Sequence, residues 1–331
     1  MNPNLRRVKY WSIQARHGLE EVRLVRSVRD LGILYDKFLF IRRRTARANY
    51  NVDSIPPGIQ IEPTNYCNAR CICCSTVRSP RKRGFMEFDL FSKIIEDARR
   101  NNMRIVHLYL HGEPTLHPRI VEMIACVKQH GLSVHLTTNG MLLTRDKQIA
   151  ILNSGVDLSD HFTFSMLGYS PEVHERVMGR VSHAKVVENI DSFLALRKER
   201  RTGGPIIETI FYPMPENQHE APDYLRAFTN YVDHARIASR ISLSFANHNT
   251  KEGVPLPTPK RSCTHLRERL TVFWNGDVPI CLHDLDGEQI LGNLARNSIR
   301  EICRNEELLR VRSAHANGRL ETILRCSTCD M

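Results

Sequence analysis

Ile59-Gln60-Ile61-Glu62, followed shortly by Cys67-Asn68-Ala69-Arg70-Cys71-Ile72-Cys73-Cys74, is the stretch on which the reading of this chain turns. The first four residues read as a short strand. The loop after them sets Cys67, Cys71 and Cys74 at the spacing C-x3-C-x2-C. A four-residue step spans at most about 14 Å, so these three thiols can wrap one compact centre. Thiolates are soft ligands suited to iron–sulfur clusters or zinc. A structural zinc site takes four protein ligands, whereas this loop offers three at a recognisable spacing. Three thiolates on a larger cluster leave one metal position open, where a small molecule can bind and react. Cys73 competes for the third position, although only Cys74 satisfies the x2 spacing.

Outward from this loop, short apolar runs alternate with longer amphipathic stretches, the signature of βα units around a parallel sheet. Strands are expected at residues 59–62, 105–110, 133–137, 162–166, 206–212 and 241–245, and helices at 90–101, 119–130, 145–153, 185–200 and 221–233. Pro255, Pro257 and Pro259 then mark a boundary. Beyond it, residues 270–274 and 278–281 flank Asn275-Gly276, which predicts a hairpin with two positive-φ turn residues; a helix at 298–312 follows. The expected organisation is a helical N-terminal segment (1–57), an α/β core (58–250) and a small C-terminal hairpin-plus-helix domain (251–331).

Composition narrows the class. With 41% hydrophobic and 25% charged residues over 331 positions, the chain is neither disordered nor coiled coil. No stretch approaches the ~18 uncharged apolar residues of a membrane span. Arg6, Arg7 and Lys9 run on without an apolar signal segment, so a cytoplasmic protein with no transmembrane segment is expected. Ten cysteines in such a protein point to metal or redox chemistry rather than disulfides. The net charge of +11 is concentrated at the start, where residues 1–57 hold 12 Lys and Arg against 5 Asp and Glu. Leu19, Val22, Val25, Leu31, Leu34, Phe38 and Ile41 recur there at helical spacing. The basic residues then form a solvated helical face or meet an acidic partner such as lipid headgroups, phosphate or nucleic acid.

The cysteine loop after a first strand resembles the cluster motif of the radical S-adenosylmethionine (radical SAM) superfamily. That resemblance implies a partial (β/α)6 TIM-like barrel and a 4Fe–4S cluster held by Cys67, Cys71 and Cys74. It also implies SAM chelating the open iron, with reductive cleavage to methionine and a 5′-deoxyadenosyl radical. The position before the last cysteine, commonly aromatic in the family, is Cys73 here. Leu110-His111-Gly112-Glu113-Pro114 resembles the family's Gly-Gly-Glu-Pro segment, with His111 in place of the first glycine. By that likeness Gly112, Glu113 and Pro114 receive the SAM amino group, and a carboxylate at a strand's C-terminal end suits an ammonium ion. Thr138 and Asn139, before Gly140, and Ser165 in the fourth strand resemble family segments lining the SAM site. Standing alone, they would be an ordinary turn and an ordinary strand hydroxyl. Asn217 and Glu220 match more loosely, and a loop or helix-cap role serves them equally.

A second thiol set lies near the C-terminus: Cys263, Gly276, Cys281 and the pair Cys326-Ser327-Thr328-Cys329. Taken alone it reads as a zinc ribbon. With Leu291-Gly292-Asn293 it resembles the shortened SPASM, or twitch, extension of radical SAM enzymes, which implies that Cys263, Cys281, Cys326 and Cys329 hold an auxiliary 4Fe–4S cluster. Cys126 and Cys303 remain. Both suit packing, and Cys303 is also a candidate hydrogen-atom donor. His265 and His283 flank the auxiliary cysteines.

The resemblance implies an enzyme that abstracts hydrogen from an unactivated C–H bond, fed by an external electron donor such as flavodoxin or ferredoxin. A sugar or aminocyclitol-like small molecule, dehydrogenated or epimerised, is the expected substrate, because no leader-peptide-binding domain of winged-helix type is evident before the barrel. The alternatives are a peptide-modifying maturase and, in another class, a zinc-stabilised nucleic-acid-binding protein.

Overall fold

The computed structural model describes residues 52–200, 203–238 and 263–323, with Cys326 and Cys329. The expected helices before residue 52, the strand at 241–245 and the proline-rich stretch lie outside the described residues.

Among the described residues, seven strands form one sheet in the order β6-β5-β4-β3-β2-β1-β7, every pairing parallel. They are β1 (Gly58–Ile61), β2 (Ile105–Leu108), β3 (Ser133–Thr138), β4 (His161–Ser165), β5 (Ile206–Phe211), β6 (His234–Ile237) and β7 (Arg269–Val272). The crossovers are helical, as parallel pairing demands: α1 (Phe88–Arg100), α2 (Ile120–Gln129), α3 (Arg145–Asn153), α4 (Pro171–Met178), α5 (His183–Glu199) and α6 (Ala221–Phe228). This is the α/β architecture expected of a partial barrel, with β6 and β7 at the edges of the sheet among the described residues.

Side-chain alternation divides the sheet into two faces. Register places Ile59, Val106 and Val134 side by side. These residues, with Leu136 and Phe162, are fully buried in one core with Phe91, Ile94, Ile124 and Val127 of the helices. The opposite face is polar. Gln60, His107, His135 and His161 stand in one register row across β1 to β4, and Thr163 and Glu208 pair above it.

Four expectations need correction. A strand that the sequence did not flag forms at His234–Ile237. It has one aliphatic residue beyond alanine and therefore carried no apolar-run signal, and it shortens the preceding helix to Ala221–Phe228. Residues 270–274 do not form half of a hairpin. Arg269–Val272 instead joins the main sheet beside β1, while β8 (Asp277–Pro279) pairs with β9 (Ile290–Asn293). The turn at Asn275-Gly276 is present, closed by Gly276 N–H on Phe273 O at 2.9 Å, but only Gly276 has positive φ. The expected helix at 298–312 is two, α8 (Ile299–Cys303) and α9 (Glu306–Ala316), after the short α7 (His265–Glu268). Asn305 breaks it because its side chain caps Glu307 and Leu308 N–H.

One buried charge cluster fastens these parts together. Glu62, at the end of β1, is fully buried and takes both Arg81 Nη atoms, at 3.1 and 2.6 Å. Arg81 also donates through Nε to Leu285 O at 2.9 Å and lies 3.7 Å over the Phe273 ring. Burial pushes the Glu62 carboxyl up, but hydrogen bonds from His111 and Arg81 outweigh it and hold it below the usual range. Arg81→Met therefore strands a buried carboxylate, and a loss of about 3–5 kcal/mol is expected from chemical denaturation at neutral pH. A loss within 1 kcal/mol would mean that water reaches Glu62.

Candidate active site

The cysteine loop is fixed from three directions. Arg70 N–H donates to Met178 O and Gly179 O, and Ile72 N–H to Val177 O at 3.0 Å, so the end of α4 clamps it from one side. Arg83 donates to Asn65 O and Thr76 O across the loop's base. Glu113 N–H reaches Tyr66 O at 2.8 Å from the third side. The last contact depends on Gly112, whose φ is +77°. A Cβ there would stand 2.3 Å from Thr64 O and 2.6 Å from Tyr66 O, so the close approach of the two loops requires glycine.

Within this frame Cys67, Cys71 and Cys74 line one cavity of about 220 Å³, with Arg70 and Arg83 in its wall. Cys73 is not among its lining residues. Burial pushes the Cys73 thiol up to about 12, with Cys74 and then Glu216 adding repulsion. Burial pushes the Cys67 thiol up to about 11, with Glu113 and Cys74 adding repulsion. Burial drives Cys71 higher still, helped by Cys73, Cys74 and Cys67. Crowded thiols whose anions repel one another are what a metal cation reverses. Among the described residues no group of three or more His, Cys, Asp or Glu side chains is set to hold a single metal ion. Soft thiols spread around an arginine-walled space fit an anionic multi-iron cluster better than a lone ion.

Of the other residues singled out in the sequence, Thr138 and Asn139 meet at Glu113, which is 2% exposed. Its Oε1 accepts from Thr115 N–H (3.0 Å), Thr115 Oγ1 (2.6 Å) and Thr138 Oγ1 (2.7 Å). Its Oε2 accepts from Asn139 N–H at 2.7 Å. Asn139 Nδ2 donates in turn to Asn68 Oδ1 at 2.8 Å, tying the third strand to the cysteine loop. Pro114 opens a short 3-10 turn, Pro114–Leu116. Ser165 ends β4 half-buried. Thr115 and Asn68 were missed in the sequence, where neither carries a motif. Asn217 bonds Leu167 O and Tyr212 O, and Glu220 accepts from Tyr169 and Ser170 at the start of α4; both serve loops and caps.

The polar face of the sheet adds residues that no motif flagged. The His107 and His135 rings are 4.9 Å apart, and those of His135 and His161 4.6 Å. Burial holds His107 well below its ordinary pKa and brings His135 down to about 3, with His161 and Arg269 adding repulsion. Arg269 Nη1 donates to Tyr109 OH at 2.9 Å, and Arg236 pairs with Glu208 at 2.8 Å. The wall is thus neutral imidazole and phenol interrupted by guanidinium.

In the C-terminal region burial pushes the Cys281 thiol up to about 12, and Cys263 and Cys326 are close enough to add to it. Cys329 N–H on Cys326 O at 3.2 Å folds the C-x2-C pair into a turn. The His265 and His283 rings meet edge to face at 5.7 Å. Cys303 is 1% exposed in the core beside Arg312, and Cys126 is buried near Ser92 and His130.

Comparison with known proteins accords with this geometry. The family model described as the radical SAM superfamily matches residues 61–227, and that of the SPASM iron–sulfur cluster-binding domain matches residues 263–330. The chain is 30% identical over 184 residues to the tungsten-containing aldehyde ferredoxin oxidoreductase cofactor-modifying protein of Pyrococcus furiosus, covering 55% of this chain and 51% of that relative. It is 25% identical over 232 residues to the PqqA peptide cyclase of Bradyrhizobium diazoefficiens, covering 68% and 58%. The chain therefore spans between half and three-fifths of these two relatives. Among solved structures, BtrN in complex with AdoMet and 2-DOIA superposes with a TM-score of 0.60 at 17% identity, over 84% of this chain and 94% of BtrN. Streptococcus suis SuiB bound to S-adenosylmethionine superposes with a TM-score of 0.61 at 17% identity, over 78% and 68%. At such identity the two structures speak for the fold alone. No helix among the described residues is long and apolar enough to cross a membrane. With a family model spanning half its length, the chain belongs to the radical SAM superfamily and carries a C-terminal SPASM iron–sulfur-binding domain.

Proposed function

We propose that this radical SAM enzyme modifies a peptide by abstracting hydrogen from an unactivated C–H bond. The observation carrying this reading is the likeness to a peptide cyclase over 68% of the chain. It takes precedence over the sugar-like substrate favoured by the sequence, which rested on the lack of a recognisable leader-binding domain. A small-molecule substrate remains the second reading, favoured by the 30% likeness to a cofactor-modifying protein and by the polar wall of His107, His135, Tyr109 and Arg269. Family membership displaces the nucleic-acid-binding alternative.

In this reading Cys67, Cys71 and Cys74 hold the SAM-binding 4Fe–4S cluster, and Gly112, Glu113, Pro114, Thr138, Asn139 and Ser165 form the SAM pocket. When bound, cluster and SAM supply a 5′-deoxyadenosyl radical. The chain's own residues enclose and orient. Arg70 and Arg83 offset negative charge at the cavity, and the neutral histidines line a face that can hold substrate without ionising it. Cys263, Cys281, Cys326 and Cys329 hold the auxiliary cluster. An external one-electron reductant, ferredoxin- or flavodoxin-like, completes the system.

Synthetic peptides matching short reading frames beside the gene test the substrate class. Incubated anaerobically with reconstituted enzyme, SAM and dithionite, one of them should raise 5′-deoxyadenosine formation about tenfold or more, a barrier change of about 1.4 kcal/mol. That peptide should emerge lighter by two hydrogens. If every peptide is recovered unchanged while a small molecule raises turnover, the second reading replaces the first.

A further inference from the structure

The auxiliary thiols come from segments far apart in the chain, and one imidazole touches two of those segments. His315, on the last turn of α9, accepts the Cys263 backbone N–H at Nδ1 (3.0 Å), and its Nε2 lies 3.2 Å from Cys326 Sγ. The ring is 4% exposed, so solvent competes for neither contact. The first bond dictates the second. An Nδ1 that accepts a hydrogen bond carries no proton, so the proton of the neutral ring sits on Nε2 and faces the sulfur. The geometry is that of an outer-shell histidine set against a cluster thiolate.

We propose that His315 is a positioning residue for the auxiliary iron–sulfur cluster, its Nε2–H donating to the Cys326 sulfur and raising the cluster's reduction potential while its Nδ1 ties the Cys263 segment to the same site. The sign follows from charge. Reduction adds negative charge to the cluster's sulfurs, so a hydrogen bond donated to one of them stabilises the reduced form more than the oxidised form. A higher potential makes the cluster a better electron acceptor, the property an oxidised product requires once a carbon radical has lost its proton. The proposal rests on Cys263, Cys281, Cys326 and Cys329 holding that cluster.

The test compares wild type, His315→Gln and His315→Leu as full-length, anaerobically reconstituted protein in EPR-monitored redox titration. Glutamine can accept from Cys263 through Oε1 and donate to sulfur through Nε2, whereas leucine fills the volume with neither bond. His315→Leu should lower the auxiliary potential by the equivalent of about a tenfold change in the oxidised-to-reduced ratio, about 59 mV for one electron. The SAM-site cluster should not move, and His315→Gln should titrate close to wild type. An unchanged potential in His315→Leu at full iron content overturns the proposal. So does an equal shift in both variants, which would make the effect one of ring packing. If His315→Leu cannot retain the auxiliary iron, pulsed EPR of the reduced cluster decides: a weak imidazole nitrogen coupling in wild type, replaced by that of an amide nitrogen in His315→Gln, supports the bond, while no coupling in wild type, or the strong coupling of a metal-bound nitrogen, overturns it. Wild-type protein with about four iron per chain in place of about eight would reject the auxiliary cluster itself, and the proposal with it.

Discussion

Replacing Cys67, Cys71 and Cys74 together by alanine is expected to abolish reductive SAM cleavage and to cut iron and sulfide from about eight to about four of each per chain. All three side chains line one cavity, whose walls are otherwise Tyr66, Ala69, Arg70, Thr76, Val77 and Arg83, none of them a thiolate. The backbone of the loop is held chiefly by α4 and by Glu113 N–H on Tyr66 O, and the Ala69 N–H contact to Cys67 Sγ is long at 3.4 Å, so the variant should fold with the auxiliary site loaded. Cys73→Ala is the matched control. Cys73 shares the loop but not the cavity lining, and its removal should leave the iron content whole. Iron and acid-labile sulfide assays with 5′-deoxyadenosine quantification read both. Full iron in the triple variant, or half the iron in Cys73→Ala, would reject the ligand assignment.

What could be read in advance follows from how local each signal is. The loop from Cys67 to Cys74 was legible because its spaced thiols lie within eight residues, and β1 to β5 because each is an apolar run between turns. His234-Ala235-Arg236-Ile237 pairs with β5 through its backbone and the Arg236–Glu208 ion pair, and carries almost no apolar code. The docking of Arg269–Val272 beside β1 is set by contacts some two hundred residues away in the chain, including Glu62 N–H on Val272 O at 2.9 Å. Sequence could rank Cys74 over Cys73 only by spacing; the fold separates them by what each faces. The substrate class was the least legible. Gln60, His107, His135 and His161 share a wall because parallel pairing aligns four strands, and each alone is an unremarked strand residue. His315 belongs to no motif, and only the packing of α9 brings it to Cys263 and Cys326.

Glu113→Ala should be the most damaging single substitution in the SAM pocket, and its conservative partner separates two roles that the sequence fused into one. The carboxylate is a buried hub as well as a candidate ammonium partner: Oε1 takes three donors and Oε2 takes one, leaving a lone pair on Oε2 for ligand. Alanine strands the Thr115 and Asn139 backbone N–H groups, which cannot turn elsewhere as the two threonine hydroxyls can. At about 1–3 kcal/mol for each buried donor left unpaired, stability should fall by about 2–6 kcal/mol in denaturant titration. Glutamine keeps the carbonyl against Thr115 and Thr138 and opposes only Asn139 N–H, so its cost should be that of one donor, about 1–3 kcal/mol. It does remove the charge. A charge-assisted contact to the SAM ammonium is worth about 1.5–3 kcal/mol, so Glu113→Gln should bind SAM about tenfold to a hundredfold more weakly while retaining its iron. Calorimetric titration of SAM into the reconstituted variant distinguishes the outcomes. Wild-type affinity in a folded, fully loaded Glu113→Gln would make Glu113 a scaffold for Thr138 and Asn139 alone, and the ammonium would need another partner.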